Sequence, residues 1–216
     1  MVFPNVKKRL FVPVAVAGLL ISLLSMSATA QNTSPTFGGF QLQLHSTTFN
    51  NNTTLPISTI NNIVQNGVNA CSINGSTGGN ESPELSWIGA PPGSRTFVVT
   101  TYDVTASFTH WGMYNIPGYI NSLPQNAGLA GSTFGPQIVN DFGVAAYGGP
   151  CPPANVAPFV HHYIFTVYAL DIVLSLPGTA NFPNNAETLY QALIAAGRQD
   201  HILASASIVG LYSTTK

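Results

Sequence analysis

Charge is what this chain has least of. Only 6% of its 216 residues are Asp, Glu, Lys or Arg. Lys7, Lys8 and Arg9 crowd into the first ten positions, so Arg95, Arg198 and Lys216 are the basic residues of everything that follows. Three scattered cations cannot neutralise a run of phosphates, which excludes a nucleic-acid surface and charge-driven docking on an anionic membrane. A single anion in a pocket is not excluded, because neutral dipoles and one histidinium suffice to hold it. Long apolar runs are also scarce: after residue 24 no segment is long and apolar enough to cross a bilayer. Cysteine is limited to Cys71 and Cys151. In an exported chain that even count suggests one disulfide, tying an early loop to a Gly-Pro-rich turn, with two free buried thiols as the other reading. Internal repeats are absent. What is present is apolar and aromatic: 45% hydrophobic and 10% aromatic residues describe a folded chain with a sizeable core and not a disordered one.

The first thirty residues read as a targeting segment. Lys7-Lys8-Arg9 is a basic start, Leu10 to Leu24 is apolar, and Ala28-Thr29-Ala30 fits a small-x-small cleavage site before Gln31. An uncleaved anchor is the rival reading, but the apolar run is short for a full span and contains Pro13. The expected organisation is a signal peptide over 1–30 and one domain over 31–216, exported to the periplasm or secreted. Cleavage leaves three basic against seven acidic residues, a net charge of −4.

Residues 31 to about 80 are rich in Asn, Thr, Ser and Gly, with loops expected at Asn50–Thr54 and Asn74–Asn80 and a strand over Phe40–Leu44. The sequons Asn74-Gly75-Ser76 and Asn80-Glu81-Ser82 matter only in a host that glycosylates exported proteins. Strands are predicted over Arg95–Tyr102, His110–Ile116, His162–Leu170 and Ser205–Tyr212. The His162–Leu170 run is apolar on both faces, as expected of a central strand covered on both sides. One helix is marked by Asn184 and Glu187 as a capping box, an apolar stripe of Leu189, Leu193 and Ala196, and Gly197 as its stop. Many short strands and one late helix predict a mainly β, antiparallel sandwich with a small C-terminal helix.

In so charge-poor a chain, three short segments stand out: Tyr102-Asp103, Phe108-Thr109-His110-Trp111 and His161-His162-Tyr163. A rigid turn, Tyr147-Gly148-Gly149-Pro150-Cys151-Pro152-Pro153, lies between the second and third. An acid and two histidines on separate strands can line one small polar pocket. Alternation sends His161 and His162 to opposite faces, so only one of them can line it. His45 and His201 carry no signal beyond ordinary surface or core histidines. A zinc or iron site built from His110, His161 and Asp103 has no supporting His-x-His or His-x-x-x-His spacing. Hydrolase chemistry lacks a Gly-x-Ser-x-Gly nucleophile, and the Gly-Pro turn lacks the lysine and helix of a phosphate loop.

These segments resemble a known family. Ser82-Pro83-Glu84-Leu85-Ser86-Trp87 is similar to the Ser-Pro-x-Leu-x-Trp segment of the phosphatidylethanolamine-binding, or Raf kinase inhibitor-like, proteins. His110-Trp111-Gly112-Met113-Tyr114-Asn115-Ile116-Pro117 resembles their His-Trp-x-x-x-Asn-Ile-Pro strand. Asn140-Asp141-Phe142-Gly143, the Gly-Pro turn and His161 to Asp171 look like the family's bacterial branch. The positions of Cys71 and Cys151 look like its exported subset. The resemblance covers about residues 71–212 with its motifs in order. It implies a β-sandwich with an anion pocket made of Asp103, His110, the Gly149 region, His161 and Tyr163. It also implies a non-enzymatic role, no cofactor, and small anions such as phosphate or phosphoethanolamine as partners. Protein targets are the alternative, since some family members modulate kinases or inhibit proteases, with the Asn-rich segments before residue 80 as the contact surface. One departure concerns the pocket wall. The family's Asp-Pro-Asp-x-Pro appears here as Asp103-Val104-Thr105-Ala106-Ser107, without the second acid or either proline, on a shorter connection to His110.

Overall fold

A computed structural model describes residues 41–215. The expected signal over 1–30, Phe40 and Lys216 lie outside the described residues. Ten strands and one helix follow in order. They are β1 (Gln43–His45), β2 (Thr53–Thr54), β3 (Val64–Gln65), β4 (Val68–Asn69), β5 (Leu85–Ile88), β6 (Thr96–Asp103), β7 (Phe108–Pro117), β8 (Ser122–Leu123), β9 (His161–Leu170), α1 (Ala186–Arg198) and β10 (Ile202–Tyr212). The main sheet has the order β2-β10-β9-β6-β7 and faces a three-stranded sheet, β1-β5-β8.

The apolar alternation of the long strands explains the layers. Phe97 and Val99 of β6, Trp111 and Met113 of β7, and Tyr163, Phe165 and Val167 of β9 pack against Leu44, Leu85, Trp87 and Leu123 of the smaller sheet. Trp87 meets Phe97 with ring centroids 5.1 Å apart. The other face of β6 and β9 turns Val98 and Leu170 toward Leu189, Leu193 and Ala196 of α1. The helix approaches so closely over β7 that a Cβ on Gly112 would lie 2.7 Å from both Ile138 and Leu189. β9 is therefore the central strand, covered on both sides, that its composition predicts.

Three local expectations are corrected. The main sheet is mixed, not purely antiparallel: Thr53-Thr54, expected as loop, pairs parallel to Gly210-Leu211 of β10. The helix cap is Asn185 with Thr188, whose side chains each bond the other's backbone N–H. Asn184 instead accepts from the Gly178 N–H at 2.6 Å, one residue too early to cap. Gly197 does not stop the helix either; the chain turns at Asp200, in the left-handed region at φ 59°. Cys71 and Cys151 form the disulfide.

Candidate functional site

Asp103, His110, His161 and Tyr163 meet at one end of the main sheet. β6 and β9 pair Asp103 with Tyr163 directly. Alternation along β9 buries His161 and Tyr163 on the sandwich face and leaves His162 exposed. His110 reaches the same face by a different device. The β6–β7 ladder pairs Thr101 with Trp111 and then Tyr102 with Thr109, so His110 is an extra, unopposed residue. Strict alternation from Trp111 would turn it toward the helix. The bulge re-aims it into the pocket.

Asp103 does two jobs. Its Oδ1 accepts from the backbone N–H of Thr105 at 2.8 Å and of Ala106 at 3.2 Å, which closes the turn between β6 and β7. Its Oδ2 faces His161 Nδ1 at 2.6 Å, with both side chains buried. The loop that departs from the family motif is thus a tight hairpin. Thr105, standing where the motif has its second acid, accepts from the His162 N–H at 3.0 Å and ties that hairpin to β9.

His110 Nδ1 lies 2.6 Å from the Gly148 carbonyl oxygen. Its ring is wedged among Phe108, Phe142 and Tyr163 at centroid distances of 4.9, 5.4 and 5.1 Å. Burial holds its pKa below the ordinary 6.5, only partly offset by the Gly148 carbonyl and the charges of Asp103 and Asp141. Burial, and then the nearby Asp103 carboxylate, push the Tyr163 hydroxyl far above its ordinary range. Tyr163 therefore stays protonated, with its buried hydroxyl beside the Asp103 carboxylate.

These groups line a cavity of about 160 Å³. Ala106, Phe108, Phe142, Cys151, Pro152 and Pro153 complete it. A polar floor under apolar walls suits a small charged group better than a drug-sized ligand. A larger groove of about 500 Å³ runs between β1 and β10, but His45 is the only titratable residue lining it. The smaller cavity is the candidate because it gathers buried, perturbed groups.

Gly149 touches His110 through its backbone but does not line the cavity. It is not among the cavity residues; its N–H is given to Asn80 Oδ1 at 2.7 Å. A Cβ there would collide with the Thr59–Asn61 backbone, so packing explains the glycine. The Gly148 N–H goes to the His110 carbonyl at 2.9 Å. With Pro150, Pro152 and Pro153 lacking N–H groups, Cys151 supplies the turn's one amide without a partner among the described residues. The Gly148 and Gly149 N–H groups are both spent within the protein, so neither is open to an anion. The sequence reading named the polar floor but not the walls. Phe142 sat in a quoted motif without a role, and Pro152-Pro153 read only as rigidity.

The sequence profile described as phosphatidylethanolamine-binding protein matches residues 45–213. This chain belongs to that family. Among its relatives, the UPF0098 protein YbcL of Escherichia coli (strain K12) is 45% identical over 104 residues, 44% of this chain and 56% of the relative. The match thus spans little more than half of that relative's length. The crystal structure of E. coli YbcL, described as a new member of the mammalian PEBP family, superposes with a TM-score of 0.64 at 32% identity, covering 80% of this chain and 98% of that one. "Putative lipoprotein LppC" of Mycobacterium tuberculosis is 32% identical over 124 residues, 56% of this chain and 59% of that one.

The buried His110 also sets a pH dependence. Its folded pKa lies below the unfolded 6.5, so below about pH 6.5 the unfolded chain takes up a proton that the folded chain refuses. That share of stability is full above pH 6.5 and shrinks as pH falls toward the folded pKa. Thermal unfolding at pH 5.5 and 7.5 should show the wild type losing more stability on acidification than His110→Gln. Equal losses would overturn this.

Proposed function

We propose that this protein is a non-enzymatic, exported ligand-binding member of its family, and that its small cavity holds an oxyanion, either phosphate or a phosphoryl head group. One observation carries the reading: two histidines, each with Nδ1 engaged by the protein, line the same cavity as the protonated Tyr163 hydroxyl. Each ring is thereby fixed, and its other nitrogen is the one left for a ligand. Hydrogen bonds to a buried anion from such fixed groups are strong, and strongest from a protonated imidazole. Export is supported by the disulfide, which persists in oxidising compartments, and by the lipoprotein name of one relative.

The test is thermal unfolding of the purified protein against phosphate and phosphoethanolamine at pH 6 and pH 8. A ligand at about 100 times its Kd adds about 2.7 kcal/mol, a rise of about 5 °C or more for a domain of this size. The rise should be lost in His161→Ala. No rise at either pH would sink the reading.

A second reading, a protein-interaction module, is favoured by one feature. The β3–β4 hairpin and its flanks expose Ile57, Ile63, Val64, Val68 and Ile73 in the segment expected to make protein contacts. If no anion shifts the melting curve, that apolar surface becomes the site to probe against proteases.

A further inference from the structure

We propose that the free edge of β10 is a docking site for an uncharged, extended peptide segment, which adds to the main sheet as a short extra strand. This edge and the groove beside it share no residue with the small cavity. The protein treats the two edges of its main sheet differently. Along β7 its own chain covers the edge: the Tyr114 N–H bonds the Pro136 carbonyl and the Ile138 N–H bonds the Gly112 carbonyl, each at 3.0 Å. Along β10, β2 pairs with Gly210 and Leu211 alone. Just before them, Val209 gives its N–H to Asn51 Oδ1 at 2.8 Å and accepts from the Asn52 N–H at 2.7 Å. Val209 therefore turns its backbone groups away from β9. Alternate residues of an antiparallel ladder do the same, and the register with β9 runs unbroken from Ala204 to Tyr212. The N–H and C=O of Ser205 and Ser207 thus point off the sheet, and they have no partner there among the described residues. Sheet edges are ordinarily blunted by charge, proline or cover. Leu203 to Ile208 contains no charged residue and no proline.

The groove of about 500 Å³ along this edge limits what fits. Ala206 and Ile208 of β10, with Leu42, Leu44 and Phe49 from across the sandwich, give it an apolar floor. An added strand would set alternate side chains over that floor. His45 is the single ionisable residue of the lining, so a Lys or Glu side chain brought in there would be desolvated without a counter-charge. The complementary partner is uncharged, with small or aliphatic residues at alternate positions. β2 closes one end beside Val209, and the bulge after Ile202 bends the other. The stretch between them takes about five residues at ~3.3 Å each. A second copy of this chain fits less well. Antiparallel pairing of two β10 strands about Ala206 would use every free group. It would also drive the start of one β10 into the Asn51–Asn52 segment already bonded to Val209 of the other.

The probe is the blocked peptide acetyl-Ser-Val-Ser-Ala-Ser-Val-amide. One control carries Lys in place of its Ala, and a second is N-methylated at alternate residues and cannot complete a ladder. Amide hydrogen exchange of the purified protein reads the site. Without peptide, the Ser205 and Ser207 amides should exchange fast, while those of Ala206 and Ile208, turned toward β9, stay protected. The peptide should bind with a Kd of about 1 mM or tighter, and at about 10 mM it should slow Ser205 and Ser207 about tenfold. The Lys peptide should bind about tenfold weaker, and the N-methylated one should give no protection. Ser207→Pro removes one outward N–H, keeps the bonds to β9 and should weaken the first peptide about tenfold. Unprotected Ser205 and Ser207 at about 10 mM peptide, or equal binding of the N-methylated control, overturns the proposal. Protection of the same two amides that grows with protein concentration alone, with a dimer in sedimentation, overturns it in favour of a second copy. The peptide comparison on the wild type decides even if the proline variant does not fold.

Discussion

Replacing Cys71 and Cys151 together by alanine is expected to lower the free energy of unfolding by about 4.5 kcal/mol, the chain-entropy value for a closed loop of this size. The two cysteines are 80 residues apart, so the bridge removes a large set of unfolded conformations. What it fastens is otherwise weakly held. Cys71 follows a hairpin of two-residue strands, and Cys151 sits among prolines that donate no backbone hydrogen bonds. The loss corresponds to about 10 °C in Tm. Because Cys151, Pro152 and Pro153 wall the cavity, anion affinity should fall as well. Urea unfolding of the double variant beside the oxidised wild type measures the first effect. A loss under about 1 kcal/mol would mean that packing alone holds the turn.

The second large effect is expected at Asp103. Asp103→Ala removes the acceptor for three N–H groups, those of Thr105, Ala106 and His161. Breaking a buried pair this way costs about 3–5 kcal/mol, because the partner stays buried without its counterpart. Asp103→Asn separates the two jobs of the residue. Its amide oxygen can still accept from Thr105 and Ala106, so the hairpin turn survives. Its amide N–H₂ would face His161 Nδ1, which must then accept, and the ring's hydrogen moves to Nε2. The expected result is a small stability loss for Asn, a large one for Ala, and a switched His161 tautomer in the nitrogen spectra of the Asn variant. A stability loss for Asn as large as for Ala would show that the carboxylate's charge, not its turn geometry, is what the fold needs.

Much of the fold was legible because the long strands obey their periodicity. The two apolar faces of His162–Leu170 demanded cover on both sides, and the strand is central. The stripe of Leu189, Leu193 and Ala196 found its partners in Val98 and Leu170. Boundaries were less legible where one residue type serves two purposes. Asn184 and Asn185 are chemically identical, and only tertiary contacts decide that Asn184 binds Gly178 while Asn185 caps the helix. Thr53-Thr54 could not be read as a strand, because its partner, Gly210-Leu211, lies far along the chain.

The site shows the same division. Asp103, His161 and Tyr163 follow from alternation plus a resemblance in motif order. The presence of His110 followed from the motif, but its aim did not, since a bulge breaks the alternation and no single residue announces a bulge. The place of Gly149 was not legible, because a glycine needed for close backbone packing reads the same as one needed to cradle an anion. The Asp103 loop lacks both prolines of the family motif. The hydrogen bonds from Thr105 and Ala106 to Asp103, and from His162 to Thr105, restore by side-chain bonding what the missing prolines would have fixed covalently.

The mixed origin of the cavity carries one more consequence. Its floor belongs to β6, β7 and β9, which are consecutive neighbours in the main sheet. Most of its walls, Phe142 and Cys151 to Pro153, belong to the long excursion of chain between β8 and β9. The floor is constrained twice over, by its own side chains and by the ladder on either side, so mutations there are filtered by folding before any ligand is met. The excursion answers to far fewer ladder partners and can lengthen, shorten or change its side chains at little cost to the sheet. Within such an architecture the polar floor is inherited with the fold, while the shape of the walls above it is free to drift.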